Sequence, residues 1–511
     1  MASLDMLTLN VGGRNDNLFE FTVTDDGTPM GHELADRLET AENVLNSHGP
    51  LEVKGYLEEG IARIFGDATV PSWVMGLLDA SSWLAAQKDL LKNFNKDWMS
   101  AIDIMTQTAG RPAPLVGYDF ITELDTSTTI SVAEYTQLWY AWLVTLNREE
   151  KKLIKRVKAK NMDLNTALAG LFFYDTMIIS CITESNQAIA DIMSLSQKLP
   201  FSTVEGKHVE VVKHIREHDY PAMVALQEGK GFDAVYLTSE LKDCYWLTWG
   251  KITDGAGAAE TGLLLSKGLF AEPTAVEITE AVLSHRPEND PETKAWDTTS
   301  SKILMCKTEM RGYGPVVIGS VHCKDSPKTF DILVAMKACM VEACPEALFY
   351  VLGMDSNSKE TDFAQRLQSV FPKTTERLVG GAEAGAPFVT VSKERTSLQA
   401  QVSKSHKLDV AHKDYIVAWE GVTEVDLQLT GVKPSPFLQP GTSVRIPSTV
   451  WPFDHASLLA SFQVDQAKCW ACTLARAGAP PALAALFERL ARAEAALAAR
   501  GGGASAEALA Q

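Results

Sequence analysis

Leu348-Phe-Tyr-Val-Leu-Gly353-Met-Asp355-Ser-Asn357 opens with an apolar run of strand length, breaks at a glycine and delivers three polar residues just beyond the break. Polar groups gathered where strands end are where chemistry collects on sheet-based folds. The same grammar recurs to either side. Thr329 to Cys344, just before it, has helical periodicity, and Lys302 to Lys307 and Pro315 to His322 read as strands. Further upstream, Val211 to His218 reads as a helix and Ala222 to Leu226 as a strand ending at Gln227-Glu228. Downstream, Phe388 to Val391, Tyr415 to Trp419 and Ala456 to Phe462 complete the expected strands, and Leu7-Thr-Leu-Asn-Val11 alternates as a strand near the N-terminus. This mixture predicts an α+β or α/β sandwich.

Between the first strand and the rest the pattern is helical. Leu77, Leu84, Leu91 and Trp98 fall seven apart, and Ser131 with Glu134 forms a capping-box pair ahead of a periodic run. Residues 14–205 are therefore expected to be a helical insertion in a domain made of 1–13 and 206–462. Residues 463–511 are an Ala-rich tail in which Leu483, Leu486, Leu490 and Leu497 mark a narrow helical stripe.

With 47 Lys and Arg against 65 Asp and Glu, the 511-residue chain has a net charge of −18, which argues against coating nucleic acid with its whole surface. Its eight cysteines are dispersed, so a disulfide framework is not expected. Cys469-Trp-Ala-Cys472 has redox or half-zinc spacing but no second pair. Lys151 to Lys160 is a basic run that reads first as a solvated helix face. No basic-then-apolar leader opens the sequence and no apolar stretch is long enough to span a bilayer, so a cytoplasmic protein without a membrane segment is expected.

Taken singly, the strand-end groups are weak signals; their order is a strong one. From N to C they run Leu9-Asn10, Ala225-Leu-Gln-Glu228, Gly319-Ser-Val-His322, Leu352-Gly-Met-Asp355-Ser-Asn357, Lys413-Asp414-Tyr-Ile416 and Trp451-Pro-Phe-Asp454-His455. This series resembles the endonuclease/exonuclease/phosphatase superfamily of DNase I-like metal-dependent phosphoesterases. The resemblance implies a four-layer α/β sandwich over residues 1–13 and about 206–462, and leaves the helical insertion and the helical tail unexplained. It implies that Glu228 is the main Mg²⁺ ligand, with Asn10 and Asp454 in support and Mn²⁺ as a substitute. It further implies that Asp355 orients or deprotonates water, Asn357 contacts phosphate, Asp414 fixes His455, and His322 assists at the phosphoryl oxygen or leaving group. The chemistry agrees, because phosphoester hydrolysis needs charge neutralisation, an activated water and leaving-group stabilisation.

Val444-Arg-Ile-Pro-Ser-Thr-Val-Trp-Pro-Phe-Asp-His455 and Thr390-Val-Ser-Lys393-Glu-Arg395 are similar to segments of the deadenylase-like branch that includes nocturnin. That likeness makes Lys324, Lys393 and Arg395 candidate phosphate contacts and a nucleotide or single-stranded RNA or DNA the expected substrate. The departures are Ser320 for the usual Asn, Phe453 for the usual Ser, Ser326 for Arg and Lys413 before the fifth motif's Asp. A competing expectation is an inactive sandwich serving as a scaffold, its insertion and tail binding a protein partner.

Overall fold

The computed structural model describes residues 2–12, 204–229, 234–250, 260–287, 302–323, 328–358, 362–375, 389–395, 407–421, 427–435, 444–448 and 451–465, with a few isolated positions elsewhere. Nearly all of 14–205 and of the tail after 465 lie outside the described residues, and with them the expected helical insertion, the Lys151–Lys160 run, the Cys469–Cys472 pair and, of the leucine stripe, Leu490 and Leu497. Within 14–205 a small ladder pairs Thr24–Asp25 with Thr28–Pro29.

Strands are numbered along the chain as β1 (Ala2–Asn10), β2 and β3 (the two members of that small ladder), β4 (Met223–Gln227), β5 (Tyr245–Trp249), β6 (Thr261–Ser266), β7 (Thr274–Ala275), β8 (Ile303–Met310) and β9 (Gly314–His322). They continue as β10 (Phe349–Asp355), β11 (Lys373–Thr374), β12 (Val391–Arg395), β13 (Lys407–Ala411), β14 (Asp414–Glu420), β15 (Leu427–Pro434) and β16 (Leu458–Val464). The helices are α1 (Val204–Glu217), α2 (Ala234–Leu241), α3 (Thr279–Ser284), α4 (Thr329–Ala343) and α5 (Phe363–Val370).

Two six-stranded sheets, ordered β15-β16-β1-β4-β6-β5 and β11-β14-β10-β9-β8-β7, carry the domain. Alternation along each strand decides which face meets what. On β1, Leu4 and Met6 join Met223, Ala225, Leu263, Leu304, Ile318, Phe349 and Ile416 in a core between the sheets. Leu7 and Leu9 point the other way and pack with Val211 and Ile215 of α1 and Leu237 and Leu241 of α2. Behind the second sheet, Met305, Val317, Tyr350, Leu352 and Val417 pack against Leu333, Met336 and Met340 of α4 and Leu367 of α5. Strands covered on both faces must be apolar at nearly every position, and β4 is buried throughout. The result is the α+β four-layer, DNase I-like sandwich that the motif order implied.

Several strand expectations need correcting. Of the run expected at Phe388 to Val391, Phe388 lies outside the described residues, Val389 and Thr390 precede the strand, and β12 begins at Val391; the Thr390 hydroxyl accepts from the backbone N–H groups of Lys413 and Asp414. Strands β5, β6, β13 and β15 were not anticipated at all. Tyr-Trp-Leu-Thr-Trp in β5 lacks clean alternation, and Thr-Gly-Leu-Leu-Leu-Ser in β6 is a short apolar run that periodicity cannot tell from a helix.

Candidate active site

Two parallel pairs define one rim. β1 runs parallel to β4 with Asn10 beside Gln227, and β9 runs parallel to β10 with His322 beside Asp355. The antiparallel neighbour β14 starts at the same level, with Asp414 opposite Asp355. The register thus lays His322, Asp355 and Asp414 side by side on one sheet, facing Asn10 and the residue after β4, Glu228, on the other.

Asn10 ties the two sheets together. Its buried Nδ2 donates to Glu228 Oε1 at 2.9 Å and to Asp355 Oδ2 at 2.8 Å, while its Oδ1 accepts from the Gly12 N–H at 2.8 Å. Glu228 adopts the left-handed region at φ 53°, which turns the chain sharply out of β4. Gly229 follows with no room for a side chain, since a Cβ there would stand 2.5 Å from the Trp249 ring. Asn357 is also left-handed, at φ 51°. Its N–H donates to Asp355 Oδ1 at 2.8 Å, and its Nδ2 lies 2.9 Å from Cys323 O and 3.1 Å from Asp355 Oδ2.

His322 has a carboxylate at each ring nitrogen, Glu228 Oε1 3.3 Å from Nε2 and Glu260 Oε2 3.0 Å from Nδ1. Asn357 Nδ2 is also 3.2 Å from Nε2, but its two hydrogens have oxygen acceptors, so the Nε2 hydrogen is directed at Glu228. Burial draws His322 down, but the bonds to Glu228 and Glu260 outweigh it and push the imidazole up to about 9. Burial raises Glu228, yet His322 and then Asn10 hold it well below the usual carboxylate range. Glu260 is held to about 2 against burial by His322 and by Lys302, whose Nζ lies 2.7 Å from the same oxygen.

Asp355 and Asp414 are fully buried and directly opposite each other, an arrangement two free carboxylates resist. His455 sits between them, with Nδ1 2.9 Å from Asp414 Oδ2 and Nε2 4.0 Å from Asp355 Oδ2. Burial lowers His455, but Asp414, Asp355 and Asp454 in that order carry it up to about 9. Asp355 is raised, first by burial and then by Asp414, with His455 opposing. Asp454 reaches Lys393 through Oδ2, and Lys393 is the main group that overcomes burial to keep it strongly ionised.

All of the expected residues that fall in the described region and have described side chains meet at this rim. The Lys393 ammonium is engaged by Asp454, while Lys324 and the Arg395 side chain lie outside the described residues. The chain leaves at Gly12 and returns at α1 in contact with itself, since Lys207 Nζ donates to Val11 O at 3.0 Å and Gly12 O at 3.3 Å. Two rim residues, Glu260 and Lys302, and the buried Gln227 behind them were not among the expected site residues. Glu260 precedes an antiparallel strand, so the relevant signal was a polar residue before an apolar run, as at Asp414, whereas most of the expected groups followed one.

The donors suit a hard divalent cation. Glu228, His322 and Asp355 each offer an atom within 4.8 Å of the others, as do Asp355, Asp414 and His455, and Asp414 Oδ1 is buried with no hydrogen-bond partner. Carboxylate oxygens together with an imidazole nitrogen can hold a divalent metal ion.

No family model and no curated protein sequence matches the chain. Among solved structures, it is similar to truncated TDP2 of Caenorhabditis elegans, at 16% identity over 50% of this chain and 90% of that one, with a TM-score of 0.31. It is similar to the human Nocturnin catalytic domain with bound sulfate, at 15% identity over 50% of this chain and 85% of that one, with a TM-score of 0.33. It is also similar to an endonuclease/exonuclease/phosphatase protein of Bacteroides vulgatus, at 15% identity over 50% of this chain and 90% of that one, with a TM-score of 0.34.

Proposed function

We propose that this protein is a member of the endonuclease/exonuclease/phosphatase superfamily that hydrolyses a phosphoester of a nucleotide or single-stranded nucleic acid with Mg²⁺, or Mn²⁺ in its place. The carrying observation is the convergence of Asn10, Glu228, His322, Asp355 and His455 on one rim from five separate points in the chain. Structural carboxylates at a strand end have no need of two sheets that meet so closely. No helix among the described residues is long and apolar enough to cross a membrane.

Glu228 and Asp355, joined by the Asn10 amide, are the residues that would hold the cation, and Asp454 would act at longer range because Lys393 engages it. When bound, the cation supplies charge neutralisation at a phosphoryl oxygen. Asp355, at the centre of this donor set, would orient or deprotonate the water that attacks phosphorus. Asn357, fixed by its backbone bond to Asp355, orients that carboxylate, and would contact the phosphate by exchanging one of its amide's acceptors, Cys323 O or Asp355 Oδ2. His455 would present its Nε2–H to a non-bridging oxygen, and His322, on exchanging its Glu228 partner, would hand its Nε2 proton to the departing oxygen so that it leaves as the alcohol. Asp414 fixes the His455 tautomer by accepting from Nδ1. Lys324, Lys393 and Arg395 are assigned to the substrate's other phosphates; for Lys393 this requires exchange of its Asp454 partner.

The test is a panel of a generic phosphodiester, a nucleotide and a short RNA, each with Mg²⁺ or with chelator. Hydrolysis that vanishes with chelator and in Glu228→Ala is the expected result. Turnover that survives both would refute the metal-dependent reading. No turnover on any substrate by a protein that also binds no metal would favour the scaffold reading.

A further inference from the structure

Directly behind the rim lies a buried polar knot for which hydrolysis itself has no use. Gln227, immediately before Glu228, is fully buried, and so are Thr8 on β1 and Ser320 on β9. Gln227 Nε2 lies 3.1 Å from Thr8 Oγ1, 3.1 Å from Ser320 Oγ and 3.4 Å from Gly353 O on β10. Ser320 spends its own hydrogen on Leu226 O at 2.7 Å, so toward Gln227 it acts as acceptor. One amide therefore ties β4 and β1 of the first sheet to β9 and β10 of the second. The sheets are tightly apposed here, because a Cβ on Gly353 would stand 2.6 Å from Ala225 Cβ and 2.9 Å from Thr8 Oγ1.

The four strands tied by this amide carry the rim groups Asn10, Glu228, His322 and Asp355 at or just beyond their ends. An apolar side chain would fill the same interior position without linking the sheets, and the burial of so many polar groups is costly unless each is paired. We infer that Gln227 is a positioning residue, whose link through Ser320 and Gly353 fixes the distance between the sheets so that Glu228 and Asp355 can engage one divalent cation. The inference rests on the proposed metal-dependent reading. It also accounts for Ser320 in place of the family's usual Asn, since a short hydroxyl leaves room for the Gln227 amide.

Calorimetric titration of the full-length protein with Mn²⁺ alone tests this, alongside kcat and KM on whichever phosphoester the wild type cleaves. Gln227→Met keeps the length and removes the donors, and the expected result is Mn²⁺ affinity about 10- to 100-fold weaker, the range typical of groups that orient metal ligands. Ser320→Ala should weaken it in the same direction, and the double variant should lose less than the product of the two single losses because both act through one link. KM measured at saturating Mn²⁺ should stay near wild type. If Gln227→Met fails to fold, Ser320→Ala and Thr8→Val carry the test. A lower Tm with unchanged Mn²⁺ affinity in these variants would make the knot purely structural and overturn the inference. A wild type that binds no Mn²⁺ would instead overturn the metal-dependent reading on which it depends.

Discussion

Two buried histidines meet at the segment Trp451–Ser457, His214 packed on it and His455 within it, and burial acts on them alike while their neighbours do not. His214 on α1 is 4% exposed and His455 is 2% exposed. His214 contacts Ser457 Oγ at 2.7 Å, and its ring meets Trp451 edge-on at 4.9 Å. Burial, then the nearby His218 and Lys213, drive it down to about 3. His455 pays the same desolvation cost, but three aspartates reverse the outcome and lift it to about 9. Burial alone therefore does not make a histidine reactive or inert; the charges within a few ångströms decide which form the interior accepts.

Replacing each histidine gives the largest expected contrast. His455→Ala should lower kcat by roughly a thousandfold, within the usual range for a lost proton-transfer or charge-stabilising group. His214→Ala should leave kcat within a few-fold and lower Tm instead. Equal kcat losses would show that the two sites are not functionally distinct. Asp414→Asn should make His455 more like His214. Its NMR-observed pKa should fall, and kcat should drop on the order of a hundredfold or more as the preferred tautomer is lost.

The same contrast predicts a pH dependence of folding for the chelated protein. Between about 3 and 6.5 the unfolded chain binds a proton at His214 that the folded chain refuses, so His214's contribution falls as pH drops through that window. For His455 the folded state binds the extra proton, so its contribution is present below 6.5 and is lost as pH rises toward about 9. Denaturant titrations should show His214 steepening the acid flank by about 1.4 kcal/mol per pH unit within its window. His214→Phe should flatten that flank even if it is less stable overall. An unchanged slope would mean that His214 is charged in the folded protein.

The smallest effect expected is at the group joining the two. Trp451 Nε1 donates to His455 O at 2.9 Å while its ring packs on His214. Trp451→Phe should cost about 1 kcal/mol from the lost bond, measurable by denaturant unfolding, with kcat reduced only a few-fold. A loss as large as that of His455→Ala would mean that Trp451 governs the histidine's placement.

What the sequence determined by itself was the kind and order of the chemistry. Taken singly, Asn10, Glu228, His322, Asp355, Asn357, Asp414 and His455 are only polar groups at or near the ends of apolar stretches. Their order, similar to the motif series of the endonuclease/exonuclease/phosphatase superfamily, is what marked them and implied four layers, while the mixture of strand-like and helix-like segments pointed to a sandwich. Tertiary structure decided what local pattern does not encode. The pairing register set His322, Asp355 and Asp414 in one row, and packing of the two sheets brought Asn10 against Asp355. Glu260, ahead of β6, joined His322 from the other sheet, Lys302 reached it through the register of the β8–β9 pair, and Lys393 met Asp454 from a sequence separation of 61 residues. Ionisation was decided last and wholly in three dimensions. Residue type fixes a group's ordinary pKa, but burial and the charges within a few ångströms fix the form it takes, and those neighbours exist only once the sheets have closed on each other.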